Sequence, residues 1–248
     1  MKARHAERLA LVAALAVATV AVEVWPDADA WLSARFFVAG RFVGDEWAAV
    51  RWVYRGVPWL GALGFAVALV FSLSVWRQPR ALAARGAPPT PLARWRWRRA
   101  TAVVTLVLMG LGGLVHMGLK DGWGRPRPDQ VQVFGGAQPF TPALQPSTRC
   151  DRNCSFVSGH AGAGFALLAL GLFGSRRTRW RWWAIGAVCG GLIGAVRVAQ
   201  GRHFASDIVF CLLVMWAAAV LHRELWLRWA VWRRRRSPIH DGHVTELS

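Results

Sequence analysis

Six stretches of the chain are nearly free of charged residues, and charge returns abruptly between them. They cover residues 9–25, 57–76, 100–119, 161–174, 183–196 and 208–221. Each approaches the roughly 17 to 25 residues that a helix needs to cross a bilayer, or reaches it once flanking small and polar residues are added. The pattern predicts an all-α, polytopic membrane protein with about six transmembrane helices. No segment between the stretches is long enough to bury a core of its own, so residues 1–248 read as one integral-membrane domain. Between the first two stretches, Phe36, Phe37, Phe42, Trp47, Val50 and Tyr54 recur at near-helical spacing among Arg35, Asp45, Arg51 and Arg55. This predicts one or two short amphipathic helices lying in the outer interface, as a cover over the bundle or a lip that guides a headgroup inward. Residues 134–146 and 86–91, rich in Gly and Pro, read as loops.

Composition explains how so apolar a chain carries so much charge. Its 248 residues are 54% hydrophobic, include 16 Trp and bear a formal charge of +18, with a mean hydropathy of +0.28. The cations sit outside the apolar stretches: Arg77, Arg80, Arg85, Arg94, Arg96, Arg98 and Arg99 in a basic loop over 77–99, then Arg176, Arg177, Arg179 and Arg181, then the basic tail 232–248. By the positive-inside rule these segments and both termini face the cytoplasm. Residues 26–56, 120–157 and 199–206 then face the opposite side of the membrane. The first stretch, with Lys2, Arg4 and Arg8 before it and Ala28-Asp29-Ala30 after it, also has the outline of a cleaved signal peptide, but its length and intervening charges favour a retained helix. Trp95, Trp97, Trp180 and Trp182 alternate with Arg as in a nucleic-acid groove. No binding motif accompanies them, and anchoring to lipid headgroups produces the same pattern, so the expected partner is the bilayer and not nucleic acid. Cys189 and Cys211 lie in apolar helices as packing residues, whereas Cys150 and Cys154 lie in the outer loop, where an oxidising compartment would let them pair. Two cysteines are too few for a zinc site.

Three polar clusters interrupt this background, and the topology puts all three on one membrane face. The first runs from Lys120 through Arg125 and Arg127, the second is Ser155-Phe156-Val157-Ser158-Gly159-His160, and the third spans Arg197, His203 and Asp207. Lys120, Arg127 and Arg197 form a cation set that is unfavourable without an anion, and arginine grips phosphate oxygens bidentately. Ser158 and Gly159 at a helix start add backbone N–H donors and a positive dipole end. His203 and Asp207 are spaced i, i+4, so the carboxylate is expected to accept from one ring nitrogen and leave the other to attack phosphorus. His160, from another helix, is placed to protonate the leaving alkoxide and then to deprotonate water. No carboxylate cluster suited to magnesium is visible, so neither metal nor cofactor is expected. His116 reads as an interhelical contact, Arg125 and Arg202 as supporting or headgroup contacts, and Arg152 as solvated surface.

These elements resemble the type 2 phosphatidic acid phosphatase superfamily, whose pattern is Lys, six residues, Arg-Pro; then Pro-Ser-Gly-His; then Ser-Arg, five residues, His, three residues, Asp. Lys120 and Arg127-Pro128 match the first part; Ser158-Gly159-His160 match the second with Val157 in place of proline; Arg197, His203 and Asp207 match the third with Val196 in place of serine. The resemblance covers about the last two thirds of the chain. It implies a nucleophilic His203 oriented by Asp207, an acid at His160, and phosphate contacts from Lys120, Arg127, Ser158, Gly159 and Arg197. The run Asn153-Cys154-Ser155-Phe156-Val157-Ser158-Gly159 is similar to the version found in some bacterial lipid A phosphatases, especially those acting at the 4′ position. The expected activity is hydrolysis of a phosphomonoester or pyrophosphate of a lipid, lipid A favoured, through a phosphohistidine. Undecaprenyl pyrophosphate and phosphatidylglycerophosphate phosphatases share the core, a lipid phosphotransferase would use the same intermediate, and an anion channel or transporter is the non-enzymatic alternative.

Overall fold

A computed structural model describes residues 2–83 and 90–236. The loop read over 86–91 falls mostly on residues outside that range, as does the end of the basic tail. Helix α1 (Lys2–Val24) is followed by the short α2 (Ala28–Ala34), and the two are bent by 78°. Pro26 lies at the bend and disfavours helical geometry in the residue before it. Two two-residue strands, β1 (Phe37–Val38) and β2 (Arg41–Phe42), then pair as a hairpin. Ala39 and Gly40 both have positive φ, the signature of a tight hairpin turn. The expected amphipathic helices over 26–56 are thus only partly present: α2 is helical, the phenylalanines lie on the hairpin, and Val50 and Tyr54 already belong to α3 (Ala48–Ala83).

Helix α4 (Pro91–Thr105) runs on as a π-helical stretch, Leu106–Lys120. Much of the basic segment expected as a loop over 77–99 is therefore helical, formed by the end of α3 and the start of α4. After a long outer loop come α5 (Gly159–Phe165), continued by a 3-10 stretch (Ala166–Gly171), then α6 (Arg176–Ala199) and α7 (Ala205–Arg236).

By length and apolarity four described helical segments can cross a membrane, and the bent α1–α2 pair makes up to five. The sixth apolar segment, Gly159–Gly171, is shorter and occupies the middle of the bundle, packed against α3, α4 with its π-helical continuation, α6 and α7. Small residues permit that position: a Cβ on Gly164 would lie 2.6 Å from the Gly190 backbone, and one on Gly190 would run into the Phe165 ring. Such close approach of backbones is how membrane helices gain contact without a hydrophobic driving force between them. The outer side of α3 is the reverse of a soluble helix, with Trp59 78% and Leu60 70% exposed. Apolar exposure on that scale suits lipid as solvent.

The ends of the bundle differ in chemistry. At one end, α1 is tied to α7 by Arg223–Glu7 at 2.6 Å and Arg8–Glu224 at 2.6 Å, and Arg98 lies 4.7 Å over the Trp226 ring. At the other end, a small aromatic core of Phe42, Val131, Phe134 and Phe204, joined by Phe36, Phe37 and Phe140, clamps the hairpin and the outer loop onto the turn before α7. The starts of α3, α5 and α7 and the ends of the π-helical stretch and α6 meet beneath this clamp.

Candidate active site

Lys120 closes the π-helical stretch and is 6% exposed. The chain leaves there and returns to the same place: Cys154 N–H donates to Lys120 O at 3.2 Å and Ser155 N–H to Arg125 O at 2.8 Å. Cys150 and Cys154 are joined as a disulfide on this returning limb. Arg127 is fixed by donating Nε and Nη2 to Asn153 O at 3.1 and 2.7 Å, which leaves its Nη1 edge without a protein acceptor among the described residues. Burial holds the Arg127 guanidinium below its ordinary range, yet it stays cationic because arginine keeps its proton throughout physiological pH.

Ser158 caps α5, accepting from Ala161 N–H at 3.4 Å, while its own N–H faces Asp207 O at 3.5 Å. The first-turn amides of Gly159 and His160 have no intrahelical acceptor. Gly159 is required by a neighbour as well as by any ligand: a Cβ there would stand 2.5 Å from the His116 ring. His116 is thus an interhelical packing contact. His160 follows, its ring stacked on Tyr54 of α3 at 5.3 Å and 24°, with Nε2 buried and unpartnered.

Helix α6 stops at Gly201, whose φ of +64° gives the left-handed cap and whose N–H returns to Val198 O at 2.9 Å. That stop puts Arg197 in the last turn of α6 and His203 in the connection. Arg197 is 3% exposed, donates Nη1 to Gln200 Oε1 at 2.6 Å, and leaves Nε unpartnered. Its Cζ lies 4.6 Å over the Tyr54 ring. Lys120, Arg127, His160, Arg197 and His203 therefore meet at one bundle end, with Tyr54 laid across His160 and Arg197.

His203 is fully buried, and its Nδ1 lies 2.7 Å from Ser155 O. A carbonyl can only accept, so Nδ1 carries the proton and Nε2, which has no protein partner, presents its lone pair. Burial pushes the imidazole down to about 4, which keeps it neutral at physiological pH. The i, i+4 hydrogen bond to Asp207 expected from spacing is stretched beyond hydrogen-bond length, with Asp207 Oδ2 standing 3.6 Å from Nδ1. His203 precedes α7, so the two residues do not share a helix face. The Asp207 carboxylate turns instead to Phe204 N–H at 2.8 Å, closing the first turn of α7 in the manner of a capping box, and to Ser155 Oγ at 2.5 Å.

Arg125 holds the other oxygen of Asp207. Completely buried, it donates Nη1 to Asp207 at 2.6 Å and to Ser206 Oγ at 2.9 Å, Nη2 to Asp29 at 2.8 Å and Nε to Thr141 O at 2.9 Å. Asp29 also accepts from Ser206 N–H at 2.9 Å and from its hydroxyl. Arg125 is thus an internal strut and not a headgroup contact, and α2 reaches the Asp207 carboxylate through it. Arg202 pairs with Asp129 at 2.5 Å, and Arg152 is exposed. Asp29 and Tyr54 were not legible as site residues, since no spacing in the chain relates them to His203, while Arg125 and Ser155 stood in the polar clusters without an assigned partner. Among the described residues no three His, Cys, Asp or Glu side chains come together as a metal-ligand set. Chemically, the site offers one imidazole lone pair, a second imidazole and three cations, a set suited to an anion such as phosphate.

A family model described as PAP2 superfamily matches residues 101–235. Over 194 residues the chain is 34% identical to a lipid A 4′-phosphatase of Rhizobium leguminosarum, covering 75% of this chain and 81% of that protein. It is 42% identical over 118 residues to the protein of the same name from Francisella tularensis subsp. novicida, covering 47% of this chain and about half, 53%, of that relative's length. A Rhizobium etli lipid A 4′-phosphatase is 38% identical over 113 residues, covering 46% of this chain and 44% of its own. No solved structure matches the chain. The family match begins in α4, runs nearly to the end of α7 and takes in every histidine and cation of the site, so the chain belongs to the PAP2 superfamily.

Proposed function

We propose that the protein is a membrane lipid phosphatase that removes a phosphomonoester from lipid A by way of a phosphohistidine on His203, at the periplasmic face of a bacterial inner membrane. The observation that carries this reading is the tautomer of His203: with Nδ1–H given to Ser155 O, the unpartnered Nε2 lone pair is the nucleophile. Nε2 attacks phosphorus, the bond from phosphorus to the lipid oxygen breaks, and His160 gives its proton to the departing alkoxide. Burial, and after it the charge of Arg197 and its neighbours, pushes the His160 imidazole down to about 4. The phosphate dianion offsets those cations and raises it again, so His160 takes up that proton as substrate binds. In the second half a water attacks the P–N bond, His160 takes the water's proton, and phosphate leaves with His203 neutral again. Lys120, Arg127, Arg197 and the first-turn amides of Gly159 and His160 hold the equatorial oxygens.

The names of the relatives support lipid A as substrate, and the arginine-rich opposite end supports cytoplasmic termini. An oxidising compartment on the side of the site suits the Cys150–Cys154 pair. The test is release of inorganic phosphate by purified protein from lipid A, undecaprenyl pyrophosphate, phosphatidylglycerophosphate and phosphatidic acid, each with chelator present. Lipid A is expected to turn over fastest, with the chelator without effect. Label that passes only to an acceptor lipid would make the protein a phosphotransferase, and loss of turnover with chelator would rule out the metal-free route.

A further inference from the structure

Beside the catalytic groups lies a cleft of about 360 Å³ lined by five guanidinium groups, those of Arg51, Arg55, Arg127, Arg197 and Arg202, against the single carboxylate of Asp45. Two of the five belong to the phosphate set already described. Arg202 is neutralised by Asp129 at 2.5 Å and reaches Asp45 at 3.8 Å, and Asp45 also accepts from Gln200 Nε2 at 2.8 Å. Arg51 and Arg55 remain. Arg51 donates Nη1 to the carbonyl oxygens of Asp45 and Glu46 at 3.0 and 2.8 Å, which fixes the side chain without cancelling its charge. Arg55 has no acceptor among the described residues.

The two arginines are one turn apart on α3, a like-charge spacing that disfavours the helix unless an anion lies between them. Tyr54, between them in sequence, stacks on His160 and underlies Arg197. The cleft therefore adjoins the catalytic groups through Tyr54, Arg127 and Arg197, and it places Arg51 and Arg55 beside them. One phosphate brings at most about two negative charges, and Lys120, Arg127 and Arg197 already exceed that. We infer that Arg51 and Arg55 form a subsite for a second anionic group, a phosphate or carboxylate, carried by the same lipid headgroup next to the scissile phosphate. This subsite rests on the phosphatase reading and narrows its substrates to headgroups with two neighbouring anions.

The test compares two synthetic glycolipids with the same acyl chains: one has a single sugar phosphomonoester, and the other has a second on the neighbouring hydroxyl. Arg55→Gln is expected to shift the ratio of kcat/KM for the two about tenfold against the bisphosphate, the size of one charge-assisted contact, and Arg55→Lys to restore most of it. An unchanged ratio overturns the subsite. So does a shift seen in vesicles containing phosphatidylglycerol but lost in neutral detergent, which would make the arginine a contact to the bilayer. Binding of fluorescent forms of both lipids to His203→Ala protein, with and without Arg55→Gln, separates the two readings. If neither lipid is hydrolysed by the unmodified protein the phosphatase reading fails, while the binding preference still decides the subsite.

Discussion

His203→Ala is expected to abolish turnover, with kcat falling by about 10⁴-fold or more, because the nucleophile of a covalent route has no substitute. His203 is fully buried and its Nδ1–H satisfies Ser155 O, so alanine also leaves that carbonyl unpaired. His203→Asn is the control, since its amide keeps an N–H donor near Ser155 O without supplying an attacking imidazole. Both variants should bind lipid and neither should release phosphate in a single-turnover assay. Measurable turnover by either would place the nucleophile elsewhere.

Arg125→Ala is expected to cost the most in stability. Its guanidinium pairs with Asp29 and Asp207 at 2.8 and 2.6 Å, entirely away from solvent. Removing one member of a buried ion pair leaves an uncompensated charge, at about 3–5 kcal/mol. The variant should therefore unfold at much lower temperature in detergent, and the fraction that folds should have little activity. Arg125→Lys keeps the charge but cannot serve four acceptors in fixed directions, so it should fall between the two. A melting temperature equal to that of the unmodified protein would show that the strut carries no weight.

The contrast between these two residues shows what was legible in the chain. The bundle could be read because a bilayer demands long charge-free segments, and the cations and histidines that meet at the candidate site could be read because they recur at fixed spacing within each segment. Arg125 could be read only as a supporting or a headgroup contact, since its partner Asp29 is 96 residues away. The role of Ser155 is carried largely by its backbone carbonyl, which no side-chain pattern reports. Tyr54 appeared as part of an amphipathic lip, and only the bundle lays it on His160. The spacing of His203 and Asp207 suggested a direct hydrogen bond because it assumed one continuous helix. Gly201 ends α6 and α7 begins at Ala205, so the histidine lies in the turn and the aspartate serves the helix start. Helix α5 was read as a full span because its residues are small and apolar, a composition that serves equally for a short segment surrounded by other helices.

The proposed mechanism turns on a covalent bond between phosphorus and His203 Nε2. Rapid acid-free quenching of purified protein during turnover of lipid carrying radiolabelled phosphate, followed by peptide mapping, tests it directly. The expected result is label on the peptide that contains His203, stable in alkali, released by acid and absent from His203→Asn. Full turnover with no label on the protein, or label on His160 instead, would contradict the mechanism.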